Sequence, residues 1–336
     1  MQAQRALNSP DVNKAFRDFL KDTINLDDDD VSTARSSRDW LFDQIASFQN
    51  DSTFPKSYSE HNIAYGSFAR RTKKRPLDDI DLMVCLSAQG STYDPFSAPY
   101  RITVGRDSNL HGLCHDDTTC LNSTKVINKF IQKLSAVPQY SKADLKRNGV
   151  AAVISLTSYD WCFDIVPCFM TTVESNGRTY YLIPDGAGHW MKTDPRIDKN
   201  RVSTTNQLHE GNILNVIRII KYWNRRPTMP SMPSYLLEQM ILDYYDTRAG
   251  TASSFVDVEI PKVLDYIWFA IHASVSDPAG IKDDLNNLTW EDRQKISDQA
   301  KQDAAKAHEA RQLETDGDQS ASIKKWAEVF GSKFPV

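Results

Sequence analysis

Residues 65–86 read YGSFARRTKKRPLDDIDLMVCL, and this stretch decides the fold. It begins with Gly66 and Ser67, continues through five basic residues, and reaches an acidic pair, Asp79 and Asp81, followed by an apolar run. The apolar run predicts a buried strand, and residues two apart on a strand point to the same face. The sequence therefore predicts that the carboxylates of Asp79 and Asp81 project side by side.

Two neighbouring carboxylates repel each other, so a cation is needed to keep both ionised. A pair of Mg²⁺ ions, for which Mn²⁺ is a substitute, meets this need, bridges the phosphates of a nucleoside triphosphate and activates an attacking hydroxyl. Asp164 is the candidate third ligand because it interrupts the apolar strand 161–166. Its alternative interpretation is a buried ion pair with an arginine; the nearby acidic pair favours metal binding.

Gly66 and Ser67 are candidates for phosphate binding. Glycine lets the backbone approach a phosphate closely, and the serine can donate from its backbone N–H and its hydroxyl. A simple turn is the alternative. The five basic residues within 70–75 either balance phosphates or form a solvated helix face, and we expect one or two of them near the site and the rest in water.

Composition limits the class of protein. The chain has 336 residues, 40% of them hydrophobic and 25% charged, which suits two lobes with a substantial core. Its net charge of -4 gives no general attraction to nucleic acid. Five cysteines, with no signal peptide ahead of them, favour a reducing, cytoplasmic compartment. No apolar run approaches the roughly 20 residues of a membrane helix.

Periodicity predicts a domain boundary near residue 205. Residues 1–205 mix helices with apolar strands, whereas residues 206–336 follow the helical period of about 3.6. Strands are expected at 62–65, 79–86, 150–156, 161–169 and 179–183. Helices are expected at 12–20, 31–48, 121–134, 213–223, 234–245, 256–272, 290–313 and 320–330.

Three further segments carry predictions. Ser9 or Asp11 caps the first helix. Four consecutive acids, 27–30, either bind a metal or lie at a helix N-terminus, and the second interpretation is favoured because consecutive acids cannot all point at one ion. Residues 301–311 are alanine-rich and charged, which predicts a surface-exposed helix.

The long connection 89–117 and the residues just after it carry a possible zinc motif. His111, Cys114, His115 and Cys120 fall within ten positions, a spacing compatible with Zn²⁺. A partly buried lid loop with reduced thiols is the favoured alternative, since the segment lacks a C-x-x-C.

The sequence GSFARRTKKRPLDDIDLMV resembles the signature of the polymerase-beta-like nucleotidyltransferases. More narrowly, it is similar to the bacterial cGAS/DncV-like nucleotidyltransferases (CD-NTases with a SMODS domain), which make cyclic oligonucleotide signals in anti-phage defence. The resemblance continues through FDIVPCF at 163–169, YLIPDGAGHWMKTDPR at 181–196, RIIKYWNRR at 218–226, SYLLEQMIL at 234–242 and WAEVFGSKFP at 326–335. It covers nearly the whole chain.

The resemblance implies an α+β fold. A mixed sheet flanked by helices forms the nucleotidyltransferase core, a helical lobe follows, and the active site lies in the cleft between them. It also implies that Lys221 contacts donor phosphates. Ser234 and Tyr235 match a pair that contacts the triphosphate and stacks on a base. Ordinary core packing for Tyr235 and an exposed helix charge for Lys221 are the alternatives.

The function implied is synthesis of a cyclic di- or trinucleotide from ATP, with GTP as the second substrate, and release of pyrophosphate. No nucleic acid is required. Some relatives are controlled by a regulatory protein partner or by conjugation at the C-terminus. Transfer of a nucleotide to RNA or to a small acceptor is the alternative enzyme, and an inactive nucleotide-binding scaffold is the alternative of another class. Base choice, ring size and linkage stay open.

Overall fold

The computed structural model describes residues 11–336, which divide into two compact units. The mixed unit comprises Asp28–Arg70 and Leu77–Lys199. The helical unit comprises the described part of Met1–Asp27, Arg71–Pro76 and Asn200–Val336. The α+β class is confirmed. The domain boundary near residue 205 stays a prediction; packing assigns two earlier segments of the chain to the unit that contains residues 200–336.

The mixed unit is built on a seven-stranded sheet. Its strands are β1 (Ile63–Tyr65), β2 (Asp79–Leu86), β5 (Asp144–Asn148), β6 (Ala151–Ser155), β7 (Cys162–Met170), β8 (Tyr181–Pro184) and β9 (Trp190–Thr193). Their order is β1-β2-β7-β6-β5, and β8 pairs with β7 and β9. The pairing of β2 with β7 is parallel, and the other pairs are antiparallel. A separate antiparallel pair is formed by β3 (Thr92–Tyr93) and β4 (Ile102–Thr103).

Three helices accompany the sheet: α2 (Asp28–Ser47), α3 (Gly66–Ala69) and α4 (Ser123–Ser135). The apolar stripe of α4, which includes Val126, Ile127 and Phe130, is fully buried, and α4 packs on β5, β6, β7 and β8. The side chain of Asn122 starts this helix by accepting from the N–H groups of the next turn.

The helical unit contains α1 (Val12–Phe19), which continues as a π-helical turn (Leu20–Ile24), and a set of longer helices. These are α6 (Ile213–Trp223), α7 (Ser234–Thr247), α8 (Val256–Ala270), α9 (Trp290–Thr315) and α10 (Gln319–Phe330). The helix α5 (Pro195–Leu208) begins in the mixed unit and ends in the helical unit. Within residues 11–336, no helix is both long and apolar enough to cross a membrane.

Most expected elements are present within a few residues of their expected bounds. Asp11 caps α1 by accepting from two backbone N–H groups, while Ser9 lies outside the described residues. The acids 28–30 lie in the first turn of α2, as the helix-terminus interpretation predicts. The expectation of an exposed helix at 301–311 is only half right, because Ala304, Ala307 and Ala310 are buried. Small side chains let α9 pack closely against α8 and α10.

An aromatic cluster joins the described N-terminal helix to the C-terminal residues within the helical unit. Phe16 makes edge-to-face contacts with Trp326 and Phe334, each with 5.0 Å between ring centroids. All three side chains are almost fully buried. These contacts tie α1 to α10 and the residues after it.

We predict that Phe16→Ala lowers the free energy of unfolding by about 3 to 5 kcal/mol, since it leaves a cavity in a packed aromatic cluster. Urea denaturation followed by tryptophan fluorescence measures the change. Phe269→Ala is the matched control, because Phe269 is 80% exposed and its removal should change stability by no more than about 0.5 kcal/mol. Equal effects of the two substitutions would contradict the cluster's role.

Candidate active site

Three carboxylates come together where β2 and β7 run side by side. The parallel register places Asp81 opposite Asp164 and Asp79 opposite Cys162. Residues that are in register on neighbouring strands point to the same face, and so do residues two apart on one strand. Asp79, Asp81 and Asp164 therefore share one face of the sheet, and all three are half-buried. The three acids chosen from the sequence form one group.

The Gly-Ser turn lies directly against this group. Strand β1 is antiparallel to β2 and places Tyr65 opposite Asp81. The chain then turns at Gly66, whose φ of 71° is in the left-handed region. A Cβ on Gly66 would lie 1.7 Å from Oδ2 of Asp81. Only glycine leaves room for the carboxylate here. Ser67 follows as the second residue of α3.

Two residues beside the carboxylates were not chosen from the sequence. Burial raises the pKa of the Tyr65 phenol, and the charges of Asp81 and Asp164 raise it further. The pKa of the Cys162 thiol rises to about 11, first through burial and then through the same kind of carboxylate charge. Its Sγ donates to the backbone oxygen of Asp78 at 3.3 Å. Both groups stay protonated at neutral pH. Only their positions in the sequence could have indicated them. Tyr65 directly precedes Gly66, and Cys162 lies two residues before Asp164.

This electrostatic pattern fits a divalent cation. Hard oxygen donors on one face are the ligands that Mg²⁺ takes in proteins. After burial, the negative charges of the carboxylates are the next cause that raises the pKa of the Tyr65 phenol and of the Cys162 thiol. A cation bound to Asp79, Asp81 and Asp164 would neutralise those charges.

Lys221 lies in the helical unit, in a buried ion pair. Its Nζ is 3.0 Å from a carboxylate oxygen of Glu238 and donates to the backbone oxygen of Thr72 at 3.2 Å. The Thr72 hydroxyl donates to the same oxygen of Glu238 at 2.8 Å. The alternative of an exposed helix charge is wrong, because Lys221 is buried. Its predicted contact with donor phosphates stays a prediction.

Ser234 and Tyr235 open α7 in the same unit. Ser234 is half-buried, and Tyr235 packs partly buried against the helical core. Glu238 follows one turn later, so Ser234 and the carboxylate that binds Lys221 lie on one side of α7. Lys221 thus contacts Glu238, near the start of the helix that Ser234 and Tyr235 begin.

Arg75, one of the five basic residues, forms hydrogen bonds to backbone oxygens of the helical unit. Arg75 donates from its Nε to the backbone oxygen of Asn25 at 2.9 Å and from its backbone N–H to Ile24 at 2.8 Å. Arg218 donates from its Nε to the backbone oxygen of Arg71 at 3.1 Å. The segment 71–76 is therefore hydrogen-bonded into the helical unit, and Arg75 has a structural role there.

A mixed sheet with three carboxylates on one face and a Gly-Ser turn against them defines the nucleotidyltransferase class. Sequence relatives agree. A probable cyclic nucleotide synthase of Bacillus cereus (strain VD146) is 41% identical over 327 residues, 96% of this chain and 98% of the relative. A cyclic AMP-AMP-GMP synthase of Enterobacter hormaechei is 27% identical over 165 residues, 46% of this chain and 42% of the relative. No family model matches the chain.

Solved structures agree on the fold. CdnC of Escherichia coli MS115-1, determined with ATP, superposes with a TM-score of 0.71 at 18% identity, covering 96% of this chain and 99% of CdnC. CdnC has also been determined in complex with HORMA-deltaN. DncV of Vibrio cholerae, in its apo form, gives a TM-score of 0.66 at 12% identity over 96% of both chains. The chain belongs to the cGAS/DncV-like nucleotidyltransferases, the family of cyclic nucleotide synthases. Enzymes of this family use divalent metals.

We predict that Gly66→Ala lowers the rate of pyrophosphate release from nucleoside triphosphates by at least about 100-fold, because the new methyl group displaces the Asp81 carboxylate. A coupled pyrophosphate assay measures the rate. Gly90→Ala is the matched control: its φ is 77°, also left-handed, but no atom lies within 4 Å of the added Cβ. Equal losses in the two variants would mean that backbone strain, rather than displacement of Asp81, causes the effect.

A second prediction concerns the buried ion pair. We expect Lys221→Met to lower the free energy of unfolding by about 3 to 5 kcal/mol, because the Glu238 carboxylate loses its cation in a buried place. Combining it with Glu238→Gln should restore most of that loss. Chemical denaturation of both variants measures it. If the double variant is as unstable as the single one, the pairing does not explain the burial of Glu238.

Proposed function

We propose that the chain joins ATP, with GTP as the second substrate, into a cyclic di- or trinucleotide and releases pyrophosphate, in anti-phage signalling. Family membership supports cyclic nucleotide synthesis. The single observation that carries the proposal for this chain is the register of β2 and β7, which aligns Asp81 with Asp164 beside Asp79. The choice of nucleotides rests on two relatives: CdnC was determined with ATP, and the Enterobacter relative is named a cyclic AMP-AMP-GMP synthase.

We assign two Mg²⁺ ions to the carboxylate group, with Mn²⁺ as a substitute. Asp79 and Asp81 would hold both ions, and Asp164 would hold the one that serves the attacking hydroxyl. The bound ions would neutralise phosphate charge and lower the pKa of that hydroxyl. The donor set fits, because it consists of carboxylate oxygens on one face in a negative potential.

The chain's own groups bind and orient the substrate. Gly66 lets the backbone approach a phosphate, and Ser67 would donate to it from its N–H and hydroxyl. Lys221, Ser234 and Tyr235 would bind the triphosphate and the base of the donor. Asp164 would accept the proton of the attacking hydroxyl. Most of the rate enhancement would then come from positioning and charge neutralisation.

We further propose a regulatory protein partner and a cytoplasmic enzyme. The support for a partner is the structure of CdnC with HORMA-deltaN. The support for a reducing compartment is that Cys85, Cys114, Cys120, Cys162 and Cys168 are all free thiols.

The carboxylate group is tested by near-isosteric substitutions. We expect Asp81→Asn and Asp164→Asn each to lower product formation by at least about 100-fold while the circular dichroism spectrum is unchanged, since each removes charge that the metals need. Radiolabelled nucleoside triphosphates are incubated with Mg²⁺, and the products are treated with phosphatase and analysed by mass spectrometry. Asp160→Asn is the control, because Asp160 is an exposed acid in the turn before β7 and should keep full activity.

The products distinguish the proposal from its alternatives. A phosphatase-resistant product whose mass equals linked nucleoside monophosphates without free ends supports cyclisation. Label transferred to added RNA or to a small acceptor would favour the alternative enzyme. Undiminished product from Asp164→Asn would contradict the assignment, and no turnover by the unmodified chain with all four triphosphates and its partner would favour an inactive scaffold.

A further inference from the structure

A second group of metal-ligating side chains lies in the mixed unit, away from the three aspartates in the sequence. It consists of His115, Cys120 and His189, whose ligand atoms all lie within 4.8 Å of one another. We call it the His-Cys-His cluster. His115 and Cys120 come from the connection before α4, and His189 comes from the turn between β8 and β9.

Backbone hydrogen bonds fix the two segments that carry the cluster. His115 donates from its N–H to the backbone oxygen of Cys120 at 2.8 Å, which closes a tight loop. Ser123 donates from its N–H to the backbone oxygen of Gly188 at 3.0 Å, which joins the start of α4 to the β8–β9 turn. The backbone positions of the three residues are therefore fixed close together by main-chain hydrogen bonds.

The His115 ring is oriented in the way that metal-binding histidines are. The side-chain oxygen of Asn122 caps α4, so its amide nitrogen faces Nδ1 of His115 at 3.2 Å. The other ring nitrogen, Nε2, lies 3.2 Å from the backbone oxygen of Gly188 and donates to it in the tautomer that leaves Nδ1 unprotonated. A metal ion would bind Nδ1 in place of the hydrogen bond from the Asn122 amide. Metal-ligating histidines usually donate their second ring N–H to a carbonyl or carboxylate.

Gly188 leaves room for the His115 ring to approach its backbone oxygen. Its φ is 98°, and a Cβ there would lie 3.2 Å from Cε1 of His115. A side chain at this position would therefore push the ring away from the carbonyl that orients it.

His189 gives separate evidence for a bound ion in the His-Cys-His cluster. Its Nδ1 is buried and has no hydrogen-bond partner within residues 11–336. Buried polar nitrogens are almost always paired, and an exception calls for an explanation such as an ion. The His189 ring lies 5.2 Å from the His115 ring, centroid to centroid.

We propose that His115, Cys120 and His189 bind one zinc ion. Imidazole nitrogen and thiolate sulfur are the donors that zinc prefers, and they disfavour Mg²⁺. Tetrahedral zinc with Zn–N bonds of about 2.0 Å and Zn–S bonds of about 2.3 Å places two nitrogens and one sulfur roughly 3.3 to 3.5 Å apart. The present spacing of up to 4.8 Å needs a closure of about 1 Å, which side-chain rotation supplies.

The other two residues of the sequence motif do not join the cluster. His111 is exposed, and Cys114 is buried with its Sγ directed at the backbone oxygen of Leu110. Asp116 is exposed and paired with Lys125 at 2.6 Å. Three protein ligands leave the fourth zinc position to water. The ion would join the long connection before α4 to the β8–β9 turn.

Metal analysis of the full chain tests the proposal. The protein is purified without chelator, passed through gel filtration, and measured by inductively coupled plasma mass spectrometry. We expect one zinc ion per chain. Cys120→Ser and His189→Gln should each weaken zinc binding by at least about tenfold, since even loss of an outer-shell partner costs about 10- to 100-fold. Cobalt(II) substitution should give a thiolate-to-cobalt charge-transfer band that Cys120→Ser abolishes.

His111→Asn and Cys114→Ser are the matched controls, one imidazole and one thiol from the same connection. Both should keep the zinc and the cobalt band. Zinc lost from Cys114→Ser but kept by Cys120→Ser would overturn the assignment, and so would a chain that binds neither zinc nor cobalt. Nucleotide turnover is not the readout, so the outcome is independent of the proposed synthase reaction.

Discussion

The parallel pairing of β2 with β7 is the constraint on which the carboxylate site depends. A shift of one residue along β7 would turn Asp164 to the opposite face and separate it from Asp81. The register is secured by the far face of the same strands, where Leu82, Phe163 and Ile165 are fully buried. Hydrophobic burial on one face thus positions charges on the other, and the cost of assembling like charges is met by packing that is far from any ligand.

The segment Arg71–Pro76, which follows the Gly-Ser turn in the sequence, belongs to the helical unit. It leaves the mixed unit after α3, forms hydrogen bonds in the helical unit, and returns to begin β2. Thr72 contributes both its hydroxyl and its backbone oxygen to the Lys221–Glu238 pair. Buried ion pairs add little net stability, but they strongly disfavour structures in which one partner is missing. We infer that this pair fixes the path of the segment.

Sequence predicted the carboxylate group because an acid that interrupts an apolar strand is conspicuous. It predicted most helices because their apolar faces repeat regularly. It missed β5 since Asp144–Asn148 is a polar, largely exposed strand without alternation, and its pairing with β6 is decided by tertiary structure. Tyr65 and Cys162 were missed for a related reason. Their proximity to the carboxylates arises from strand pairing, which composition does not reveal.

The His-Cys-His cluster illustrates the limit of local spacing in the same molecule. Spacing grouped four residues within one connection, but the fold keeps two of them and adds His189 from a distant turn. A metal-binding motif can be recognised from residue spacing only when all of its ligands come from one segment of the chain.

The chemistry of the donor atoms distinguishes the two candidate metal sites more clearly than their positions in the sequence do. The carboxylate group offers hard oxygens, which suit Mg²⁺, whereas the proposed zinc site offers nitrogen and sulfur.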